Sequence, residues 1–180
     1  FAALTAAAVA NNIVVIAGCP LHNPNGKPYI AAVICFPNGE HTLYLKQHLH
    51  EGEEVYCIPG CDSGLIKVNG TRIALAVCAD FTHPSHAATA AAQQADVYLA
   101  SALISPGGYA YDAELLAATA KRHQLPVLLA NHISTTGGWQ TCGNSGGWNA
   151  AGELAVSANG TQPCLVLCRI HHGAISPPYS

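Results

Sequence analysis

The sequence of 180 residues contains no methionine, and charged side chains make up only 9% of it. Its net charge of −3 leaves no basic surface stripe, which argues against a nucleic acid partner. The chain has no apolar run as long as a bilayer span, which argues against a membrane role. Because half of its residues are apolar, we expect strands buried on both faces, or a homodimer or higher homo-oligomer.

The N-terminal stretch FAALTAAAVANN has neither a positively charged segment nor a cleavage site, so it is not a signal peptide. It is typical of a helix whose beginning is missing. We therefore interpret the chain as an N-terminally incomplete part of a longer protein. Its length predicts a single domain over 1–180.

The eight cysteines are scattered, and most of them lie within apolar runs rather than in a disulfide framework. This pattern favours free thiols and a cytoplasmic location. The spacings of cysteine and histidine fit no common zinc motif, so no metal and no cofactor are predicted. A zinc-binding domain stays open as an alternative.

Hairpins alternate with strand–helix–strand crossovers along the chain, which predicts an α/β fold with a mixed sheet. Turn sequences at Pro37-Asn38-Gly39 and Asn69-Gly70 indicate two hairpins, and a further turn is expected at 149–152. The predicted helices lie at 1–10, 84–94 and 111–123. The predicted strands lie at 13–18, 29–36, 41–45, 65–68, 71–77, 96–100, 126–131 and 164–170.

Cys78 closes a predicted strand in TRIALAVCADFTHP and precedes a predicted helix. A thiol near a helix N-terminus and a cation gains thiolate character, and backbone N–H groups at such a turn can stabilise an oxyanion. Cys78 is therefore a candidate nucleophile. The alternative is a buried cysteine that ends a core strand.

Two further groups could support such a thiol. Lys46 follows a strand, and is either a solvated strand end or a cation that stabilises an oxyanion. The acidic cluster of Glu51, Glu53 and Glu54 is either an exposed loop or the source of a catalytic carboxylate. His83 and His86 are interpreted as lining the mouth of a pocket or capping a helix.

Several motifs, taken in their order along the chain, resemble those of the nitrilase superfamily of carbon–nitrogen hydrolases. They are Tyr44-x-Lys46, Glu53-x-x-Tyr56-x-x-Pro59-Gly60, a hairpin, and Val77-Cys78-Ala79-Asp80. The late stretch TCGNSGGWNAAGELAV is similar to a hairpin of the same family, and the resemblance extends from residue 1 to about residue 170. It implies a nitrilase-like four-layer α-β-β-α sandwich with mixed sheets, and family members usually form dimers through one helix layer.

The resemblance also implies roles for individual residues. Cys78 would be the nucleophile that forms a thioester. Lys46 and the backbone N–H of Ala79 would stabilise the tetrahedral intermediate. Glu53 would be the supporting carboxylate, with Glu54 as the alternative.

The general-base glutamate of the family lies upstream of Phe1, and no residue of this chain matches it. A catalytically incomplete member, acting as a binding or oligomerisation module, is therefore the alternative to an enzyme. The predicted substrate is a small amide, because Ala-Asp follows Cys78 where nitrile-hydrolysing members carry Trp-Glu. Carbamoyl compounds and nitriles stay open. The predicted substrate contacts, placed at strand ends, are Ser101, Ala102, Tyr109 and Asn131.

Overall fold

The computed structural model describes residues 1–158, 160–171 and 173–178. The chain divides into two compact units, Phe1–Gly64 and Leu65–Ser180, called here the N-terminal and C-terminal units. That the two units form a single domain stays a prediction. None of the helices in the described ranges has the length and apolar character needed to cross a membrane.

The N-terminal unit is a helix packed on a three-stranded antiparallel sheet. Its elements are α1 (Ala2–Asn11), β1 (Val15–Leu21), β2 (Tyr29–Cys35), β3 (His41–Leu45) and a short 3-10 helix (Glu53–Val55). The central strand β2 is buried along most of its length. Ala8 of α1 packs against Val33 and Cys35 of β2, and the small alanine side chain lets the helix lie close to the sheet.

The hairpin predicted between β2 and β3 is confirmed. Cys35 pairs with His41, and Gly39 adopts a φ of 89° in the turn, a value that glycine accepts without strain. The strand β1 begins two residues later than predicted and ends three residues later, because Cys19, Pro20 and Leu21 still pair with β2. Proline is tolerated there because β1 lies at the edge of its sheet.

The C-terminal unit combines two helices with a six-stranded sheet and two short hairpins. Its elements are β4 (Leu65–Val68), β5 (Thr71–Val77), a 3-10 helix (Cys78–Thr82), α2 (Pro84–Ala92), β6 (Val97–Ala102), α3 (Tyr109–His123), β7 (Val127–Asn131), β8 (Thr135–Thr136), β9 (Trp139–Gln140), β10 (Gly146–Trp148), β11 (Leu154–Ser157), β12 (Arg169–His171) and β13 (Ala174–Ser176).

The large sheet has the order β11-β10-β7-β6-β5-β4. Strands β5, β6 and β7 run parallel, and their neighbours on both sides pair antiparallel. The predicted mixed α/β architecture is therefore confirmed. Because the three central strands are parallel, the residues that follow them emerge at one edge of the sheet, where α/β proteins commonly bind ligands.

The core of the C-terminal unit forms between the helices and the sheet. It includes Leu116 and Ala120 of α3, Tyr98 of β6 and Trp148 of β10. At the opposite end of the parallel strands, the guanidinium group of Arg72 donates two hydrogen bonds to the carboxylate of Asp96, at 2.9 and 3.1 Å. These bonds lower the pKa of Asp96.

The strand predicted at 164–170 is wrong over most of its length. Residues 164–168 have no regular structure, and the strand begins only at Arg169, where it pairs with β13. Leu165 and Leu167 are 86% and 53% exposed. An apolar run becomes a strand only where a partner edge is available, and the edge of the large sheet beside β10 is already occupied by β11.

Candidate active site

Cys78 lies at a sharp turn between β5 and α2. The backbone of Val77 is still extended, whereas Cys78 has a φ of 50° in the left-handed region. This conformation costs a residue with a Cβ about 1–2 kcal/mol, and such strain is concentrated at functional sites. The turn holds a half-buried thiol just beyond the carboxyl end of β5, at the first residue of a 3-10 helix.

The turn is closed by a carboxylate two residues beyond the cysteine. Asp80 Oδ2 accepts a hydrogen bond from the backbone N–H of Val77 at 2.9 Å. Asp80 is fully buried, and Ala79 beside it is buried as well. A carboxylate removed from water in this way gains its stability from hydrogen bonds that the protein supplies.

The ends of the neighbouring parallel strands lie beside this turn. Ser101 pairs with Val77 across β5 and β6, and Ala102 pairs with Asn131 across β6 and β7. Ser101 and Ala102 are both half-buried. The structure therefore places these predicted contact residues at the same sheet edge as Cys78.

Asn131 is a brace between two loops at this edge. Its Oδ1 accepts the backbone N–H of Ile104 at 2.8 Å, and its Nδ2 donates to the carbonyl oxygen of Gly143 at 2.6 Å. Its backbone N–H donates to the hydroxyl of Ser145 at 2.9 Å. The amide thus joins the segment after β6 to the loop before β10, and a substrate contact by Asn131 stays a prediction.

Tyr109 opens helix α3 near the same loop. Its hydroxyl donates to the carbonyl oxygen of Asn144 at 3.0 Å, and burial, with a smaller contribution from Cys142, raises the pKa of Tyr109. Gly143 has a φ of 63°, and a Cβ there would lie 2.6 Å from Ile133 and 2.9 Å from a backbone oxygen. The loop bordering the sheet edge is therefore fixed by glycine geometry and by two side chains.

Lys46 and Glu53 form an ion pair in the N-terminal unit. Lys46 is only 1% exposed, and its Nζ donates to Glu53 Oε2. The same carboxylate oxygen accepts the backbone N–H of His50 at 2.7 Å. The Glu54 side chain is exposed, so the carboxylate that contacts Lys46 is that of Glu53.

The backbone around Lys46 is held on both sides. Its N–H donates to the carbonyl oxygen of Ile30 at 2.8 Å, and its own carbonyl oxygen accepts the N–H of Gly60 at 2.8 Å. Gly60 is required there, because a Cβ would lie 2.3 Å from the Cβ of Leu45. The loop therefore fixes a buried ammonium group whose charge is balanced by one carboxylate.

The predicted site residues thus fall into two groups. Lys46 and Glu53 are paired within the N-terminal unit. The others, Cys78, Ala79, Ser101, Ala102, Tyr109 and Asn131, lie at or near one sheet edge of the C-terminal unit. The chemical role of each residue stays a prediction.

Sequence reasoning missed the buried groups behind Cys78. Asp80 served only to distinguish amides from nitriles, although an aspartate side chain near a strand end can accept a hydrogen bond from a neighbouring backbone N–H. The expectation that His86 lines a pocket mouth or caps a helix is wrong. It lies buried within α2, and its Nδ1 shares a hydrogen bond of 2.8 Å with the hydroxyl of Tyr98.

The part of the chain that the structure describes was expected to contain a cluster of metal ligands only under the zinc alternative. Within it, no three His, Cys, Asp or Glu side chains come together in a group that could hold a metal ion. The zinc alternative therefore rests on composition alone.

The motifs and the fold place the chain in a family. The family model for carbon–nitrogen hydrolases matches residues 1–171. The chain belongs to the carbon–nitrogen hydrolase family, which is the nitrilase superfamily predicted from its motifs. Among curated proteins, no sequence matches it significantly.

Solved structures share the fold at low sequence identity. A mutant of the amidase from Nesterenkonia sp. AN1, with the acetamide moiety of fluoroacetamide on its active-site cysteine, superposes with a TM-score of 0.84 at 24% identity, over 92% of this chain and 64% of that chain. Another mutant of this amidase, in complex with butyramide, gives a TM-score of 0.82 at 24% identity, over 91% of this chain and 64% of that chain. A glutamine-dependent NAD+ synthetase from Acinetobacter baumannii gives 0.79 at 18% identity, over 86% and 31%. The nitrilase-like fold is thereby confirmed, and the chain spans about 64% of the length of these amidase chains.

Proposed function

We propose that the protein hydrolyses the carbon–nitrogen bond of small aliphatic amides through a thioester on Cys78. The observation that carries the proposal is the conformation of Cys78. It has a φ of 50° at the carboxyl end of β5, in a chain of the carbon–nitrogen hydrolase family. A strained turn that presents a thiol at a sheet edge is the arrangement expected of a nucleophile.

The proposed reaction has two steps. The sulfur of Cys78 attacks the amide carbonyl carbon, and the resulting tetrahedral intermediate expels ammonia as the C–N bond breaks and the thiol proton passes to the departing nitrogen. Water then attacks the thioester, which releases the carboxylic acid and restores the thiol. The sum is one amide and one water converted into one acid and one ammonia.

Two further groups are proposed to stabilise the negative charge that develops during the reaction. The Lys46 ammonium group and the backbone N–H of Ala79 would stabilise the oxyanion of the tetrahedral intermediate. This role is supported by the burial of Lys46 and by its ion pair with Glu53, which hold the ammonium group in one orientation.

The substrate class is proposed from the neighbours and from the sheet edge. One mutant of the Nesterenkonia amidase is in complex with butyramide, and another carries the acetamide moiety of fluoroacetamide. Butyramide and fluoroacetamide are both small aliphatic amides. Ser101, which pairs with Val77, and Ala102 have small side chains, and we propose that they accommodate a short acyl chain. A homodimer or higher homo-oligomer and a cytoplasmic location stay predictions.

The test is ammonia release from butyramide by the 180-residue chain. We expect turnover by the wild type and none above background with Cys78→Ala, which removes the sulfur and little volume. The matched control is Cys61→Ala, which removes an exposed thiol of the N-terminal unit and should leave turnover unchanged. If Cys78→Ala retains activity, Cys78 is not the nucleophile.

A second variant tests the oxyanion role. Lys46→Ala should lower kcat by about 100-fold or more, because an interaction made mainly in the transition state is lost. An effect confined to KM would contradict this role. The alternative of a catalytically incomplete binding module predicts that butyramide protects Cys78 from alkylation while no ammonia is released.

A further inference from the structure

We propose that Asp80 is a positioning residue that holds Cys78 in its left-handed conformation, and with it the direction of the nucleophilic thiol. Its carboxylate reaches back over the cysteine and accepts the N–H of Val77 at 2.9 Å. The hydrogen bond therefore encloses the one residue of this turn with a positive φ. The inference rests on the proposed function, since it concerns the same nucleophile.

The strain at Cys78 needs such a restraint. A side chain with a Cβ is more stable at negative φ, so an unrestrained turn would rotate the thiol away from its present direction. The bond from Val77 to Asp80 fixes the chain on both sides of Cys78.

Asp80 is itself fixed by its surroundings. It is fully buried, its carbonyl oxygen accepts the N–H of His83 at 3.2 Å, and Thr82 Oγ1 donates to the carbonyl oxygen of Ala79 at 2.9 Å. These bonds close the 3-10 helix in which Asp80 lies. The backbone that carries the carboxylate is therefore held in place.

The core behind Asp80 contains a second buried polar pair. Tyr98 is fully buried and shares a hydrogen bond of 2.8 Å with His86. Burial, and to a smaller extent the negative charge of Asp80, raise the pKa of Tyr98. The phenol stays neutral, so no second negative charge forms beside the carboxylate.

The role of Asp80 is to act through the backbone rather than on the substrate. One carboxylate oxygen is engaged by a main-chain N–H, and the whole residue is removed from solvent. The turn thus requires, at position 80, a side chain of the length of aspartate that ends in a hydrogen-bond acceptor. Asparagine supplies such an acceptor, whereas alanine does not.

The experiment compares Asp80→Asn with Asp80→Ala in the assay for ammonia release from butyramide. We expect Asp80→Ala to lose about 100-fold in kcat through misplacement of the thiol, with KM within about threefold of wild type. Asp80→Asn keeps the acceptor and should stay within about fivefold in both constants. Asp96→Ala is the matched control, because Asp96 Oδ2 also accepts a backbone N–H, that of Arg72 at 2.8 Å, at the opposite end of the strands.

Three results would overturn the inference. They are an Asp80→Ala enzyme with wild-type kcat, an Asp80→Asn enzyme as impaired as Asp80→Ala, and equal losses in Asp80→Ala and Asp96→Ala. The last would indicate a general loss of stability. Rescue by asparagine with a selective loss of kcat supports the inference.

A stability cycle gives a readout that does not depend on turnover or on the proposed function. With Asp80 present, the φ of residue 78 is held positive, which glycine tolerates better than alanine. Cys78→Gly should therefore be more stable than Cys78→Ala, with an equilibrium constant for unfolding about fivefold smaller. In the Asp80→Ala background this advantage should vanish, because the turn can relax. An advantage unchanged in that background would refute the inference even if no amide is hydrolysed. If Asp80→Ala does not fold, the same comparison is made in the Asp80→Asn background. There Cys78→Gly must remain more stable than Cys78→Ala, and loss of this difference would overturn the inference.

Discussion

At the scale of single residues, the site depends on polar groups that the protein removes from water and pairs. Lys46 and Asp80 are 1% and 0% exposed, and each has a partner in its own unit: Glu53 for the ammonium group and the Val77 N–H for the carboxylate. A buried charge of this kind is costly when its partner is lost. The two groups therefore make the local geometry sensitive to single substitutions.

The ion pair of Lys46 and Glu53 gives a prediction for stability. Glu53→Ala should lower the free energy of unfolding by about 2 kcal/mol, because it leaves a buried ammonium group unpaired and the His50 N–H without its acceptor. The double variant Lys46→Met/Glu53→Ala should recover part of this loss, since methionine has no charge to desolvate. Chemical denaturation measures both values.

The control for that cycle is Glu54→Ala, whose side chain is exposed and which contributes only its backbone oxygen, to Lys27. It should change the free energy of unfolding by less than about 0.5 kcal/mol. Should Glu54→Ala be as destabilising as Glu53→Ala, the assignment of the lysine's partner would be wrong.

At the scale of elements, the turn sequences carried most of the information. Asn69-Gly70 predicted the hairpin of β4 and β5 with correct bounds, because both residues adopt the positive φ that this short turn requires. Charges at both ends of α3 likewise predicted that helix to within two residues at its start. The strand at 164–170 failed because its apolar pattern does not reveal whether a partner edge is available.

Gly60 gives a prediction about the loop that carries Lys46. A Cβ at this position would lie 2.3 Å from the Cβ of Leu45 and 2.8 Å from its carbonyl oxygen. Gly60→Ala should therefore push the loop off β3 and cost about 3 kcal/mol, at the upper end for overpacking because one clash is with backbone. Thermal unfolding measures the loss.

Gly26→Ala is the matched control in the same unit. The nearest atom to its added Cβ would be the Asn23 side-chain nitrogen at 3.7 Å, and its φ lies outside the strained range. It should change stability by less than about 1 kcal/mol. Equal effects of the two substitutions would mean that the close approach to Leu45 does not constrain the loop.

At the scale of the whole molecule, the family and the mixed fold could be predicted from the order of motifs. The roles of Cys78, Lys46 and Glu53 came from the resemblance, and the residues themselves left solvated and buried alternatives open. The brace at Asn131 and the pair of His86 and Tyr98 could not be predicted. Both depend on contacts between residues that are 12 or more positions apart, and one sequence does not show which such residues meet.

The prediction of a single domain can be tested by unfolding. Trp148, which is 4% exposed, reports on the C-terminal unit through its fluorescence, and the buried thiol of Cys35 reports on the N-terminal unit through its labelling rate. We expect the two signals to change at the same denaturant concentration, since a single domain unfolds cooperatively. Two separate midpoints would show that the units unfold independently.

The measurement that tests the central claim most directly is labelling of all eight cysteines with fluoroacetamide, read by peptide mass spectrometry. This compound placed an acetamide moiety on the active-site cysteine of a mutant of the Nesterenkonia amidase. If Cys78 is the nucleophile, it should be labelled first, ahead of the exposed thiols of Cys61 and Cys164. If Cys78 stays unlabelled, or reacts no faster than those two exposed thiols, then its strained turn does not create a nucleophile and the proposed mechanism is contradicted.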